Sequence, residues 1–131
     1  MSLDVMIVDD DAEICNIVRL TLEPAGYKVL TALSGASCLE QLRSSFRGVI
    51  LMDFTMPEMN GYETIKTILE EGLDKNCIIY MITGLGDPPE ELQSISECVF
   101  DYIRKPFTMS ELRDRVAEAM SFLPPEPDTP Q

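Results

Sequence analysis

Two kinds of apolar pattern alternate along the chain. Short runs rich in β-branched and bulky residues stand at residues 5–8, 27–30, 49–52, 78–82 and 100–103, the length and character of strands. Between them apolar side chains recur every three or four positions: Ile14, Val18 and Thr21; Leu39, Leu42 and Phe46; Tyr62, Ile65 and Leu69; Leu92, Ile95 and Val99. That spacing predicts amphipathic helices. A fifth helix is predicted from Met109, Leu112, Val116, Met120 and Leu123, with Thr108 and Glu111 forming a capping-box start.

Strict alternation of strand and helix implies right-handed crossovers and a parallel sheet with helices on both faces. The expected fold class is α/β, a three-layer sandwich of five strands and five helices. The run Val49, Ile50, Leu51, Met52 is apolar at successive positions, as in a central strand covered from both sides. A single domain is expected over residues 1–123. The last eight residues, 124–131, hold four prolines and no apolar periodicity, and are expected to form an extended tail or the start of a linker.

Composition narrows the function. With 131 residues the chain fits one domain, and 45% apolar content suffices for a core. No stretch approaches the ~18 apolar residues of a membrane span. The 23 acidic against 10 basic residues give a net charge of −13, which repels a phosphate backbone, so no direct nucleic-acid binding is expected of this domain. Cys15, Cys38, Cys77 and Cys98 form no CxxC pair, and there is no histidine to complete a zinc site. Buried reduced thiols are expected. The lack of a signal peptide before the first apolar run agrees with a cytoplasmic protein. Without imidazole, carboxylates, hydroxyls and lysine must carry any chemistry.

In an open parallel sheet, ligands sit beyond the carboxyl ends of the strands. The first strand is followed there by Asp9, Asp10 and Asp11, the third by Asp53, the fourth by Thr83 and the fifth by Lys105. Gathered carboxylates repel unless a cation joins them, and they suit a hard ion such as Mg²⁺, with Mn²⁺ an alternative. One of them can attack phosphorus to give an aspartyl phosphate. Asp53 is the better candidate, because it stands alone after a fully apolar strand. Lys105 and the Thr83 hydroxyl would share the charge of the transferring group. Asp11 alone reads as a helix cap.

The order of these pieces is similar to bacterial response-regulator receiver domains. The matching segments are Val8-Asp9-Asp10, the run from Asp53 through Thr55, Met56, Pro57 and Met59 to Gly61, Thr83-Gly84, and Lys105-Pro106-Phe107. The resemblance implies the flavodoxin-like strand order 2-1-3-4-5 and phosphorylation at Asp53. It implies Mg²⁺ held by Asp10, Asp9, Asp53 and the Thr55 carbonyl, with Thr83 and Lys105 on the phosphate. It further implies a cis peptide before Pro106 and a switch in which Thr83 and Tyr102 move together. The surface of the fourth helix, fifth strand and fifth helix would then meet a partner or a second copy in a phosphorylation-dependent homodimer. The phosphodonor would be a sensor histidine kinase or a histidine phosphotransfer protein. Receivers with fast phosphate loss resemble one another in an amide or carboxylate near the positions of Thr55 and Leu85. Neither stands here, so slow self-dephosphorylation is expected, and no catalysis beyond the domain's own phosphorylation and its reversal.

Two departures and three rival readings accompany the resemblance. The segment Glu97-Cys98-Val99-Phe100-Asp101 lacks the glycine that usually closes the fourth helix, and Gly84, Gly86, Pro88 and Pro89 loosen its start. A haloacid-dehalogenase-like phosphatase would use Asp9 and Asp11, yet Glu13 stands where a hydroxyl residue belongs. A receiver-like docking module without phosphate is the second rival. A flavodoxin-like cofactor carrier, the third, lacks a hydroxyl- and glycine-rich phosphate loop.

Overall fold

The computed structural model describes residues 4–44, 46–54, 61–84 and 98–123. Five strands, β1 (Asp4–Val8), β2 (Lys28–Ala32), β3 (Gly48–Asp53), β4 (Cys77–Thr83) and β5 (Asp101–Arg104), form one sheet in the order β2-β1-β3-β4-β5. Every neighbouring pair is parallel. Four α-helices lie among the described residues: α1 (Ala12–Leu22), α2 (Gly35–Arg43), α3 (Gly61–Glu70) and α4 (Met109–Phe122), and a short 3-10 turn, Glu23–Ala25, follows α1. The flavodoxin-like arrangement is the one expected. The further helix expected around Leu92 and Ile95, with its loose start and frayed end, falls largely outside the described residues, as do Thr55, Leu85 and the proline-rich tail.

Strand alternation divides the core into two layers. Met6, Val8, Ile50, Met52, Ile79 and Met81 face Cys38, Leu39 and Leu42 of α2 and Ile65 and Ile68 of α3. On the opposite face Val5, Ile7, Val49, Leu51, Tyr80 and Ile82 meet Cys15, Val18 and Leu22 of α1 and Leu112, Val116 and Ala119 of α4. All six residues of β3 are buried, which explains their uninterrupted apolar run.

Helix starts follow local chemistry. Asp11 caps α1 by accepting the Glu13 N–H at 2.9 Å, and Ser34 caps α2 through the Ser37 N–H at 3.1 Å. Thr108 caps α4 through the Glu111 N–H at 3.0 Å. Each oxygen satisfies a donor that the first turn leaves open.

Some boundaries differ from the pattern. Phe46, expected on the second helix, is buried in the connection after α2 ends at Arg43, because hydrophobic burial does not need helical backbone. Val99, expected at the end of the fourth helix, is buried in coil just before β5, and Phe100, expected in that strand, precedes it. β2 and β4 extend beyond their expected ends, to Ala32 and Thr83. Of the four thiols, Cys15 and Cys38 are buried while Cys77 and Cys98 are half-buried. Cys77 opens β4 at the amino end of the sheet, where the first two residues of the strand are half-buried.

Candidate functional site

The carboxyl ends of the strands bring Asp9, Asp10, Asp53, Thr83 and Lys105 to one end of the sheet. Asp9 follows β1 and is 1% exposed. Its backbone N–H donates to the Ala32 carbonyl at 3.0 Å, and the Asp9 carbonyl accepts the Cys15 thiol at 3.4 Å. One carboxylate oxygen of Asp9 accepts the Asp11 N–H at 2.9 Å. The turn into α1 thereby orients the acid. Asp10, next in sequence, is exposed. Asp53 ends β3 and is 5% exposed, and Thr83 ends β4 at 7%.

Asp9, Asp10 and Asp53 offer carboxylate oxygens that all lie within 4.8 Å of one another. Lys105 reaches into the group, with Nζ 3.4 Å from Asp9 Oδ2 and 3.5 Å from Asp53 Oδ1. Burial pulls the lysine pKa down, but attraction by Asp53 and Asp9 outweighs it, so the ammonium is held above its ordinary value. Three carboxylates and one ammonium leave the cluster formally at −2. An all-oxygen donor set of this charge fits a hard divalent cation such as Mg²⁺.

Lys105 is set by its backbone. Its N–H donates to the Thr83 carbonyl at 2.8 Å, and the Lys105–Pro106 peptide is cis. Register pairs Met81 with Tyr102 and Thr83 with Arg104, so Thr83 and the half-buried Tyr102 share one face of the sheet, two positions apart. That face is the one covered by α2 and α3.

The pattern of apolar positions gave no sign of a groove of about 440 Å³ beside Lys105, lined by Ile14, Ile17, Gly84, Lys105, Pro106 and Phe107. One signal was available: Ile17 is an aliphatic residue off the buried stripe of α1, and it is 41% exposed. The Cys15 thiol was read only as a core group. Its pKa is pushed up to about 11, first by burial and then by the Asp9 charge, so it acts as a protonated donor to the Asp9 backbone.

A receiver domain is the class of protein to which this fold and acidic site point. The chain belongs to the response regulator receiver domain family, whose model matches residues 5–117. The C4-dicarboxylate transport transcriptional regulatory protein DctD of Rhizobium meliloti is 34% identical over 108 residues, covering 82% of this chain and 23% of the relative. The phosphate regulon transcriptional regulatory protein PhoB of Escherichia coli is 28% identical over 125 residues, covering 95% of this chain and 55% of the relative. The chain thus spans between about a quarter and about half the length of such curated relatives. Among solved structures, a CheY-like receiver domain protein of Methanospirillum hungatei shares 39% identity at a TM-score of 0.87, over 91% of this chain and 94% of that one. Chemotaxis protein CheY4 of Vibrio cholerae shares 29% identity at 0.81, over 91% of this chain and 99% of that one. Receivers of this family bind Mg²⁺ at an acidic pocket and work with histidine kinases. No helix among the described residues is long and apolar enough to cross a membrane.

Proposed function

We propose that the chain receives a phosphoryl group on Asp53 from the phosphohistidine of a sensor histidine kinase or a histidine phosphotransfer protein. The observation that carries this reading is the buried Asp53 carboxylate, beside two more carboxylates and 3.5 Å from the Lys105 ammonium. An Asp53 oxygen attacks phosphorus, the phosphorus–nitrogen bond breaks as the new phosphorus–oxygen bond forms, and the imidazole leaves with its electron pair. Lys105 meets the negative charge of the incoming group, and Thr83, at the end of the next strand, supplies a hydroxyl donor.

Asp9, Asp10 and Asp53, with the carbonyl of Thr55, would hold Mg²⁺ or Mn²⁺. When bound, the ion supplies charge neutralisation for the phosphoryl oxygens. The groove between Ile14, Ile17 and Phe107 borders Lys105 and suits an apolar face of the phosphodonor protein. Signalling then runs from Thr83 to Tyr102, on one face of the sheet. It reaches β5, α4 and the segment before β5, where an output partner or a second copy docks once Asp53 is phosphorylated.

The domain catalyses only its own phosphorylation and a slow dephosphorylation, because Thr55 and Leu85 provide neither amide nor carboxylate to orient water. It acts in the cytoplasm, without contacting nucleic acid itself, and residues 124–131 serve as tail or linker.

The test is incubation with Mg²⁺ and acetyl phosphate or a phosphorylated kinase. One alkali-labile phosphoryl group on Asp53 is expected, lost in Asp53→Asn. Equal labelling of that variant would refute the assignment, and labelling at Asp9 would favour a phosphatase instead. Thr83→Ala should leave phosphate uptake measurable but abolish phosphate-dependent association. Thr55→Asn with Leu85→Glu should shorten the lifetime of the phosphorylated state.

A further inference from the structure

Gly61 opens α3 against the backbone of the phosphoacceptor. Its N–H donates to the Phe54 carbonyl at 2.9 Å. A Cβ built on it would stand 2.6 Å from the Asp53 carbonyl oxygen, 2.9 Å from Phe54 Cα and 3.2 Å from Met52 Cγ. The two shorter contacts are to main chain, so no change of rotamer relieves them. This requirement is one of close approach, unlike that of Gly26 and Gly72, which have positive φ and open space around them.

The backbone of Phe54, the residue after Asp53, is held from two sides. The Phe54 N–H donates to the Ile82 carbonyl at 3.0 Å, tying it to β4, and its carbonyl accepts from Gly61. α3 cannot retreat freely, since its own Thr64, Ile65 and Ile68 are buried and the two isoleucines pack in the core beneath the sheet face. A methyl at position 61 therefore displaces the Asp53–Phe54 end of β3 by several tenths of an ångström.

We infer that Gly61 is a positioning residue for Asp53: its missing side chain lets α3 rest on the Asp53–Phe54 peptide and fixes the carboxylate relative to Asp9, Asp10 and Lys105. This role rests on the phosphoacceptor reading. Small misplacements of a reacting group cost on the order of 10–100-fold in rate. Metal affinity should fall too, because the same displacement spreads the donor set.

Two variants, one at the start of α3 and one in the turn after it, test the role. Gly61→Ala adds a methyl against Asp53. Gly72→Ala strains the backbone at φ 68 with nothing within 4 Å. Both should lower the melting temperature. Only Gly61→Ala should weaken Mg²⁺ binding in isothermal titration, by about 10-fold, and slow phosphate uptake from acetyl phosphate by about 10–100-fold. Parent-like values in Gly61→Ala, or equal losses in Gly72→Ala, would overturn the inference.

If Gly61→Ala does not fold, amide exchange in the parent still decides. Coupling between the clamp and the metal site is reciprocal, so Mg²⁺ must slow exchange at Gly61 more than at Gly72, and equal slowing counts against the role. Should the parent neither bind Mg²⁺ nor accept phosphate, the phosphoacceptor reading and the role resting on it would fall together. A parent that does both beside an unaffected Gly61→Ala would remove the positioning role alone.

Discussion

The two ends of the sheet are built from the same strands and serve opposite purposes. At the amino end, Asp4, Lys28, Gly48 and Cys77 start their strands in register. The backbone closes on itself there: Asp4 donates to Arg47 at 3.2 Å and Gly48 to Asn76 at 3.1 Å. Gly48, at φ 153, lets β1 and β3 approach so closely that a Cβ would lie 1.8 Å from the Asp4 carbonyl oxygen. At the carboxyl end, three carboxylates share one lysine. One end is held together by backbone pairing between strands and their connections, while the other gathers a formal charge excess that suits a cation. Stability and reactivity are thereby separated along a single strand, β3.

Substitutions at the amino end should damage the fold and spare the chemistry. Gly48→Ala has the largest expected effect, a loss of about 3–5 kcal/mol, since both the steric clash and the left-handed φ oppose it. Urea denaturation measures it. The fraction that remains folded should still accept phosphate, and a folded but unreactive variant would mean that the two ends are not independent.

At the carboxyl end the relation reverses, and ligand raises stability. Saturating Mg²⁺ should stabilise the chain by about 1–3 kcal/mol through preferential binding to the folded state, seen as a higher melting temperature than in chelator. An unchanged melting temperature would mean that the three carboxylates do not act as one site.

The middle of the sheet gives a smaller effect and a pH signature. The Tyr80 hydroxyl donates to the Arg115 carbonyl at 2.8 Å, so Tyr80→Phe should cost about 1 kcal/mol near neutral pH. Burial, then the Glu118 charge, pushes its pKa up to about 12 from 10.0. Burial likewise raises Cys38 and Cys77 from 9.0 to about 12. All are raised in the folded state, so their contribution is fully present below the unfolded values. It is lost as pH climbs through 9.0 and 10.0 towards the folded values near 12. Stability should fall along this alkaline limb, and Tyr80→Phe should make the fall shallower. A limb of unchanged steepness would remove Tyr80 from the account.

The smallest effect sharpens the comparison most. Asp53→Asn removes one charge from a cluster formally at −2, so without Mg²⁺ it should gain about 0.5–1 kcal/mol while losing phosphorylation. A destabilised Asp53→Asn would show that the contact with Lys105 outweighs repulsion among the acids.

Much of this was legible in the residues. The apolar periods foretold all five strands and the described helices, because burial on one or two faces leaves a local, repeating mark. The caps at Asp11 and Thr108 were legible for the same reason, being bonds across two or three residues. Boundaries were less so: Phe46 is buried beyond the end of α2, and Val99 outside any helix, since a lone apolar residue does not say which backbone carries it. The identities of Asp9, Asp10, Asp53, Thr83 and Lys105 came from strand ends and family pattern together.

The sequence by itself determined the alternation of layers, the excess of acid and the residue types offered at each strand end, all properties of neighbours in the chain. Tertiary structure alone decided which of them touch. Lys105 meets Asp9 across 96 positions, the Cys15 thiol bonds the Asp9 carbonyl, Ile17 borders a groove with Phe107, and Gly61 fits where no side chain could. These contacts depend on strand register and on how closely each crossover helix settles on the sheet. Packing sets both to tenths of an ångström, and no local period encodes them.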